Sequence, residues 1–112
     1  MFSIYHNPRC SKSRQALALL EENDIEPQII LYLETPPSSQ ELKDILAKLN
    51  SSADQLLRKN EADYKEHIKG ITDEDELIQL MLAYPKVIER PIIIKGDRAV
   101  IGRPPEAVLA LL

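Results

Sequence analysis

The only cysteine of the chain, Cys10, lies in a short basic run whose composition favours thiolate chemistry. The run extends from His6 to Arg14, between an apolar segment with a strand pattern and an apolar segment with a helical pattern. A cysteine at such a turn meets the free N–H groups and the positive end of the helix dipole, and Arg9, Lys12 and Arg14 add cations beside it. A free thiol with a pKa of about 8.5 is only ~3% ionised at pH 7. These features lower that pKa, so they predict a reactive thiol and not the small buried hydrophobe that a free cysteine usually is.

The chain has no second cysteine with which Cys10 could form a disulfide. Ser13 takes the position where a dithiol enzyme carries its second cysteine, and a hydroxyl can donate a hydrogen bond to a thiolate without forming a disulfide. Ser13 could equally bond the backbone of the first helical turn, and the two interpretations are compatible. His6 is either a fourth cation beside Cys10 or a strand-end histidine without a role. A reaction that oxidises Cys10 therefore needs a reductant from outside the chain.

Three arginines outside the run, Arg58, Arg90 and Arg103, are candidates for binding an anion. Arg90 and Arg103 each precede a proline, which pushes their backbones away from the helical region and places them at loop or strand ends. A guanidinium has a fixed charge and a planar fork that grips tetrahedral oxyanions. Converging forks would also offset the charge that accumulates when a thiolate attacks. The alternative is that each arginine forms a surface salt bridge with one of the abundant acidic residues.

The charge balance and the ligand-type residues limit the classes of partner. The 112 residues suffice for one domain with one core, and 14 Lys and Arg against 18 Asp and Glu give a net charge of −4. This balance argues against nucleic-acid binding, which needs a basic face. A local basic cluster in an acidic chain instead favours a small anion. Two separated histidines and one cysteine argue against a zinc site, and no nucleotide, flavin or metal cofactor is indicated.

The sequence also indicates a compartment. No segment reaches the length needed to span a membrane, and the first residues enter a strand pattern without the organisation of a signal peptide. One cysteine cannot form an internal disulfide, which is typical of a reducing compartment. We therefore expect a cytoplasmic protein without membrane association that acts as a monomer.

Hydrophobic periodicity predicts a chain in which strands and helices alternate. It predicts a strand over residues 2–6, a helix over 11–23 and a strand over 28–33, whose nearly continuous apolar run is typical of burial on both faces. Parallel strands joined by a helix form a right-handed crossover unit. A helical insert over about 38–85 follows, and it opens on the capping box Ser38-Ser39-Gln40-Glu41.

The last third of the chain predicts a hairpin and a helix. Residues 92–95 and 98–101 predict two strands joined by the tight turn Gly96-Asp97. Pro104-Pro105 suits the first turn of a last helix. The order β-α-β, helical insert, β-β-α describes one α/β domain over residues 1–112, with a mixed four-stranded sheet and flanking helices.

This order, with a cysteine after the first strand, resembles the thioredoxin fold. At the level of residues, five segments in order resemble the glutaredoxin-dependent arsenate reductase family, and they run from one end of the chain to the other. They are His6-Asn7-Pro8-Arg9-Cys10-Ser11-Lys12-Ser13-Arg14, Leu31-Tyr32-Leu33-Glu34-Thr35-Pro36, Leu56-Leu57-Arg58-Lys59, Glu89-Arg90-Pro91-Ile92 and Gly102-Arg103-Pro104-Pro105. A single Cys-x-x-Ser would be a weak signal, whereas five ordered segments are specific for the family.

The resemblance implies a reaction and its partners. Cys10 thiolate would attack arsenate, or a similar oxyanion, held by Arg58, Arg90 and Arg103. Glutathione would attack the thiol-bound arsenic, and glutaredoxin would restore the enzyme with release of arsenite. Glutathione is then a co-substrate, and no resident cofactor is implied.

The resemblance also implies roles for residues around the nucleophile. His6 is implied to be a cation that tunes the thiolate, with Ser13 and Arg14 as further tuning residues. Pro91 is implied to be a cis proline just before the third strand, facing Cys10. Sequence alone predicts trans at this position, because most X-Pro bonds are trans.

Two other functions stay open. A transcription regulator of the Spx type shares the fold and binds RNA polymerase, but it normally senses oxidation through Cys-x-x-Cys, and residue 13 of this chain is serine. The other is a related reductase that acts on a different oxyanion or on a glutathione-linked disulfide.

Overall fold

The computed structural model describes residues 1–112, in which four strands and four α-helices alternate with three short 3-10 helices. The strands are β1 (Phe2–Tyr5), β2 (Gln28–Ile30), β3 (Ile92–Lys95) and β4 (Arg98–Ile101). The α-helices are α1 (Ser11–Glu22), α2 (Ser39–Leu49), α3 (Ala62–His67) and α4 (Glu74–Ala83). The 3-10 helices are Ala53–Leu56, Pro85–Val87 and Pro105–Leu111.

The chain divides into two compact units. One comprises Met1–Thr35 with Arg90–Leu112, and the other comprises Pro36–Glu89. The second unit contains the residues for which a helical insert is expected, about 38–85. The expectation of a single domain over 1–112 stays a prediction.

The first unit contains the whole sheet, with strand order β2-β1-β3-β4. β1 pairs with β2 in parallel and with β3 in the antiparallel direction, and β3 pairs with β4 in the antiparallel direction. The turn between β3 and β4 needs a residue with positive φ, which Gly96 supplies at +60°. The predicted mixed four-stranded sheet with flanking helices is therefore confirmed.

The core of this unit lies where α1 and the Pro105–Leu111 helix pack on the central strands. Its fully buried members come from all of these elements: Ile4, Ala16, Leu20, Ile93, Val108 and Leu111. Because this core fixes α1 against β1 and β3, it also fixes the turn between β1 and α1, in which Cys10 lies.

The second predicted strand was wrong in length and in burial. β2 ends at Ile30, and Ile29 is 48% exposed. β2 is an edge strand that pairs only with β1, so one of its edges has no partner strand. The apolar residues that follow enter a turn, in which the Leu31 carbonyl accepts hydrogen bonds from the N–H groups of Glu34 and Thr35 at 2.9 Å each.

The second unit confirms the local helix signals. Ser38 and Glu41 form the predicted capping box, with Glu41 N–H donating to Ser38 Oγ at 3.1 Å and Ser38 N–H donating to Glu41 Oε1 at 2.9 Å. Asp73 caps α4 by accepting from Glu76 N–H at 2.9 Å. No helix in the chain combines the length and the apolar character needed to cross a bilayer.

Candidate active site

Cys10 occupies the junction between the β1–α1 turn and the first residue of α1. It is the N-cap residue, with extended backbone angles (φ −92°, ψ 122°), and its carbonyl accepts the first helical hydrogen bond from Arg14 N–H at 3.0 Å. Its own N–H donates to the Asn7 carbonyl at 3.0 Å, which closes the turn. The half-buried thiol therefore sits at the end of the helix where backbone N–H groups are unpaired and the dipole is positive.

The environment of Cys10 lowers the pKa of its thiol. Burial raises the pKa, but hydrogen bonds from the backbone N–H groups of Ser13 and Lys12, together with the hydrogen bond and charge of Arg90, outweigh it. The physical cause is that helix-start donors and a guanidinium stabilise the thiolate more than partial desolvation destabilises it. Among the charged side chains, Arg90 contributes most to this lowering of the pKa. The sequence pattern assigned this effect to the side chains of Arg9, Lys12 and Arg14, whereas the main charged contributor is Arg90.

Arg90 and Arg103 meet beside the Cys10 sulfur. Arg103 Nη1 lies 4.0 Å from Cys10 Sγ and donates to the Arg90 carbonyl oxygen at 3.3 Å. The Nε of Arg90 is buried and has no hydrogen-bond partner. The structure thus brings two guanidinium groups, one of which has a buried unpaired donor, to one sulfur.

Short contacts between β3 and the end of β4 hold these arginines. The Arg90–Pro91 peptide bond is cis, the isomer that the family resemblance implies, and Arg103–Pro104 is also cis. Gly102 N–H donates to the Pro91 carbonyl at 2.8 Å. A Cβ on Gly102 would lie 2.8 Å from Pro91 Cγ. Only glycine therefore allows this close approach beside both arginines.

The surroundings of His6 disfavour the predicted histidine cation. The pKa of His6 is lowered by burial and by the positive charge of Arg14. Both effects favour the neutral ring over the cation. His6 Nδ1 lies 2.6 Å from Ser13 Oγ, which accepts the Asn7 N–H at 3.0 Å. We assign the serine proton to this contact, so that the hydroxyl donates to Nδ1 of the neutral imidazole.

The predicted roles of Ser13 and Arg14 change for the same reason. The Ser13 hydroxyl is engaged with His6 and Asn7, so it is the backbone N–H of Ser13, and not its hydroxyl, that favours the thiolate. Arg14 Nη1 donates to the Pro8 carbonyl at 2.9 Å. Both side chains therefore hold the turn in place, and their predicted effect on the thiolate stays a prediction.

Asn7 is a positioning residue that the sequence interpretation missed. It is buried, its Oδ1 accepts the Arg9 N–H at 3.0 Å, and its carbonyl accepts the Cys10 N–H. The signal was available, because Asn before Pro commonly starts a turn in which the side chain bonds the backbone two residues on.

Arg58 belongs to the other unit and is described there. Its backbone N–H donates to the Val87 carbonyl at 2.7 Å, next to the antiparallel bridge between Leu57 and Ile88. Its Nε lies 3.5 Å from Glu89 Oε1, and its Nη1 is buried without a hydrogen-bond partner. The guanidinium is thus oriented by an acid and keeps one buried donor. Its predicted role in oxyanion binding stays a prediction.

Metal ligands are not assembled anywhere in the chain, because no three His, Cys, Asp or Glu side chains are grouped so that they could hold an ion. The polar atoms around Cys10 are hydrogen-bond donors, which suit an anion.

Comparison with known proteins places this site in a family. The model of the ArsC family matches residues 5–111. The chain belongs to the ArsC family. The match spans the β1–α1 turn, both proline-linked arginines and Arg58, so the resemblance inferred from the five segments is confirmed.

Several known proteins resemble the chain over nearly its whole length. The "Uncharacterized protein YfgD" of Escherichia coli strain K12 is 50% identical over 112 residues, which cover 97% of this chain and 94% of that protein. The arsenate reductase of Neisseria meningitidis serogroup A is 45% identical over 114 residues, covering 97% and 96%. The solved structure of an arsenate reductase from Vibrio cholerae matches with a TM-score of 0.94 and 46% identity, covering 99% of this chain and 97% of that one.

Proposed function

We propose that this ArsC family member is an arsenate reductase whose nucleophile is the Cys10 thiolate. The observation that carries the proposal is the convergence of Arg90 and Arg103 on a helix-start cysteine with a lowered pKa. Relatives at 45% and 46% identity that bear the name arsenate reductase support the same substrate.

The first step joins sulfur to arsenic. The Cys10 thiolate attacks As(V), an S–As bond forms, and one arsenate oxygen leaves as water after protonation. Arg90 and Arg103 offer donors and positive charge where the oxyanion accumulates charge, which is the usual way in which such a transition state is stabilised.

The second step needs an external thiol, since the chain has a single cysteine. Glutathione attacks the arsenic of the adduct, an As–S bond to glutathione forms, and one arsenic-bound oxygen leaves as water. A glutaredoxin thiolate then attacks the glutathione sulfur to form a mixed disulfide, and the electron pair of that As–S bond stays on arsenic. Water cleaves the remaining Cys10–arsenic bond and restores the Cys10 thiol. In the balanced reaction two thiol groups are oxidised to one disulfide, and their two electrons reduce As(V) to As(III), which leaves as arsenite. We infer that glutathione acts as co-substrate, with no resident cofactor, in a cytoplasmic monomer. Arg58 is the proposed third oxyanion ligand.

A turnover assay tests this function. Arsenate, glutathione and glutaredoxin are supplied together, arsenite is measured, and Cys10→Ser is the blank. We expect multiple turnovers that depend on both glutathione and glutaredoxin. Sustained turnover with thioredoxin in the absence of glutathione would contradict the mechanism. No turnover with either reductant would exclude arsenate as the substrate.

A further inference from the structure

A groove of about 310 Å³ beside the Cys10 turn has no role in the oxyanion step. One wall is formed by residues 6–9, and the other by Leu31, Leu33 and Glu34 in the turn after β2. Arg90 and Arg103 do not line this groove. It is therefore a second recess, bounded by the residues that lead directly into the nucleophile.

The groove has an apolar wall with one charge of each sign. Leu33 is 39% exposed, and Pro8 is exposed as well. The guanidinium of Arg9 and the carboxylate of Glu34 are both exposed, and neither forms an ion pair or a side-chain hydrogen bond in the chain. Such a surface suits a small ligand that carries both charges on a short, partly apolar body.

The position of Arg9 is set by the turn, although its side chain is unpaired. Its N–H donates to Asn7 Oδ1 at 3.0 Å. Arg9 directly precedes Cys10 in the chain, so the residue that would anchor a ligand in the groove neighbours the reacting cysteine. A guanidinium fork recognises a carboxylate through two parallel hydrogen bonds.

We propose that this groove binds the glutathione that attacks the Cys10 adduct. The proposal rests on the proposed function for the identity of its ligand. One carboxylate of the tripeptide pairs with Arg9, its ammonium pairs with Glu34, and its body lies along Leu33 and Pro8. This placement delivers the thiol to arsenic from a side that the two oxyanion-binding arginines do not occupy.

Binding is measured separately from chemistry. The full chain with Cys10→Ser is titrated with S-methylglutathione, which has no free thiol, and amide shifts are followed by NMR. We expect saturable shifts concentrated at Arg9, Leu31, Leu33 and Glu34. In the same background Arg9→Ala should weaken binding about fivefold and Arg9→Glu more, whereas Lys86→Ala, which removes an exposed cation in the other unit, should leave it unchanged.

Steady-state kinetics of the chain with Cys10 intact supply the second readout. Arg9→Ala should raise KM for glutathione without changing KM for arsenate. The inference is overturned if S-methylglutathione shifts no groove amide, if the shifts map elsewhere, or if Arg9→Ala binds like the parent. Groove binding in a chain that does not reduce arsenate would uphold the inference while the proposed function fails. Arsenate reduction without groove binding would uphold the proposed function and overturn the inference.

Discussion

One added methyl group at Gly102 is expected to disturb both arginines that meet Cys10. A Cβ there would lie 2.8 Å from Pro91 Cγ, 3.1 Å from Ile93 Cδ1 and 3.2 Å from Ala16 Cβ, where ordinary contact begins at 3.4 Å. The proline ring would have to move by roughly half an ångström to restore normal contact.

The added methyl group should affect both the stability of the fold and the pKa of Cys10, because Arg90 is joined directly to Pro91. Inserting a methyl into a packed site costs about 1–3 kcal/mol, which lowers the melting temperature of a chain of this size by several degrees. Arg90 precedes Pro91 and stabilises the Cys10 thiolate, and Arg103 follows Gly102. Losing the charge-assisted hydrogen bond from Arg90 would remove part of what stabilises the thiolate, so the pKa of Cys10 should rise.

Thermal melting and the pH dependence of iodoacetamide alkylation measure the two effects for Gly102→Ala. The matched control is Gly70→Ala in the other unit. Gly70 has a φ of +91° and open space around its Cβ position, so alanine there adds backbone strain without a clash. We expect both variants to melt lower, by a comparable free energy of about 1 kcal/mol or more. Only Gly102→Ala should raise the pH at which alkylation of Cys10 is half-maximal.

Two outcomes would refute this reasoning. Parent-like melting together with a parent-like midpoint would show that the site absorbs the methyl without moving Pro91. Lower melting with an unchanged midpoint would show that Gly102 supports the fold but does not position Arg90 against the sulfur.

Three further predictions concern titration and charge. Because its pKa is lowered, Cys10 should alkylate with a midpoint below that of a free thiol, and its contribution to stability should be lost as pH falls through that midpoint. Arg90→Lys and Arg103→Lys should each raise KM for arsenate about tenfold although the charge is kept, because the ammonium of lysine cannot form the two parallel hydrogen bonds of a guanidinium. Arg58→Lys in the same assay tests whether Arg58 also binds arsenate. Since the pKa of His6 is also lowered, the folded state should lose stability as pH falls below about 6.5, and His6→Gln should remove that dependence in denaturant melts recorded between pH 7 and 5.

Elements whose signal lies within a few residues could be predicted from the sequence. The capping box of Ser38 and Glu41 and the hairpin at Gly96 depend only on neighbouring residues, and both form as expected. The strand after residue 27 was overestimated, because an apolar run does not reveal how many strands pair with it. β2 has one partner strand, and the run turns away after Ile30.

The same distinction between local and long-range contacts applies to the chemistry of the site. That Cys10 caps a helix follows from the order of residues around it, and the helix-start donors do lower its pKa. The sequence around Cys10 does not show that Arg90 reaches the sulfur. Arg90 lies far from Cys10 in the sequence, and the pairing of β3 with β1 brings it close. His6 shows the converse: its place at the end of β1 suggests a cation beside a thiol, but burial there and the nearby charge of Arg14 both favour the neutral ring. A basic run near a cysteine thus indicates where the thiolate forms, while the long-range contacts of β3 and β4 decide which charge stabilises it.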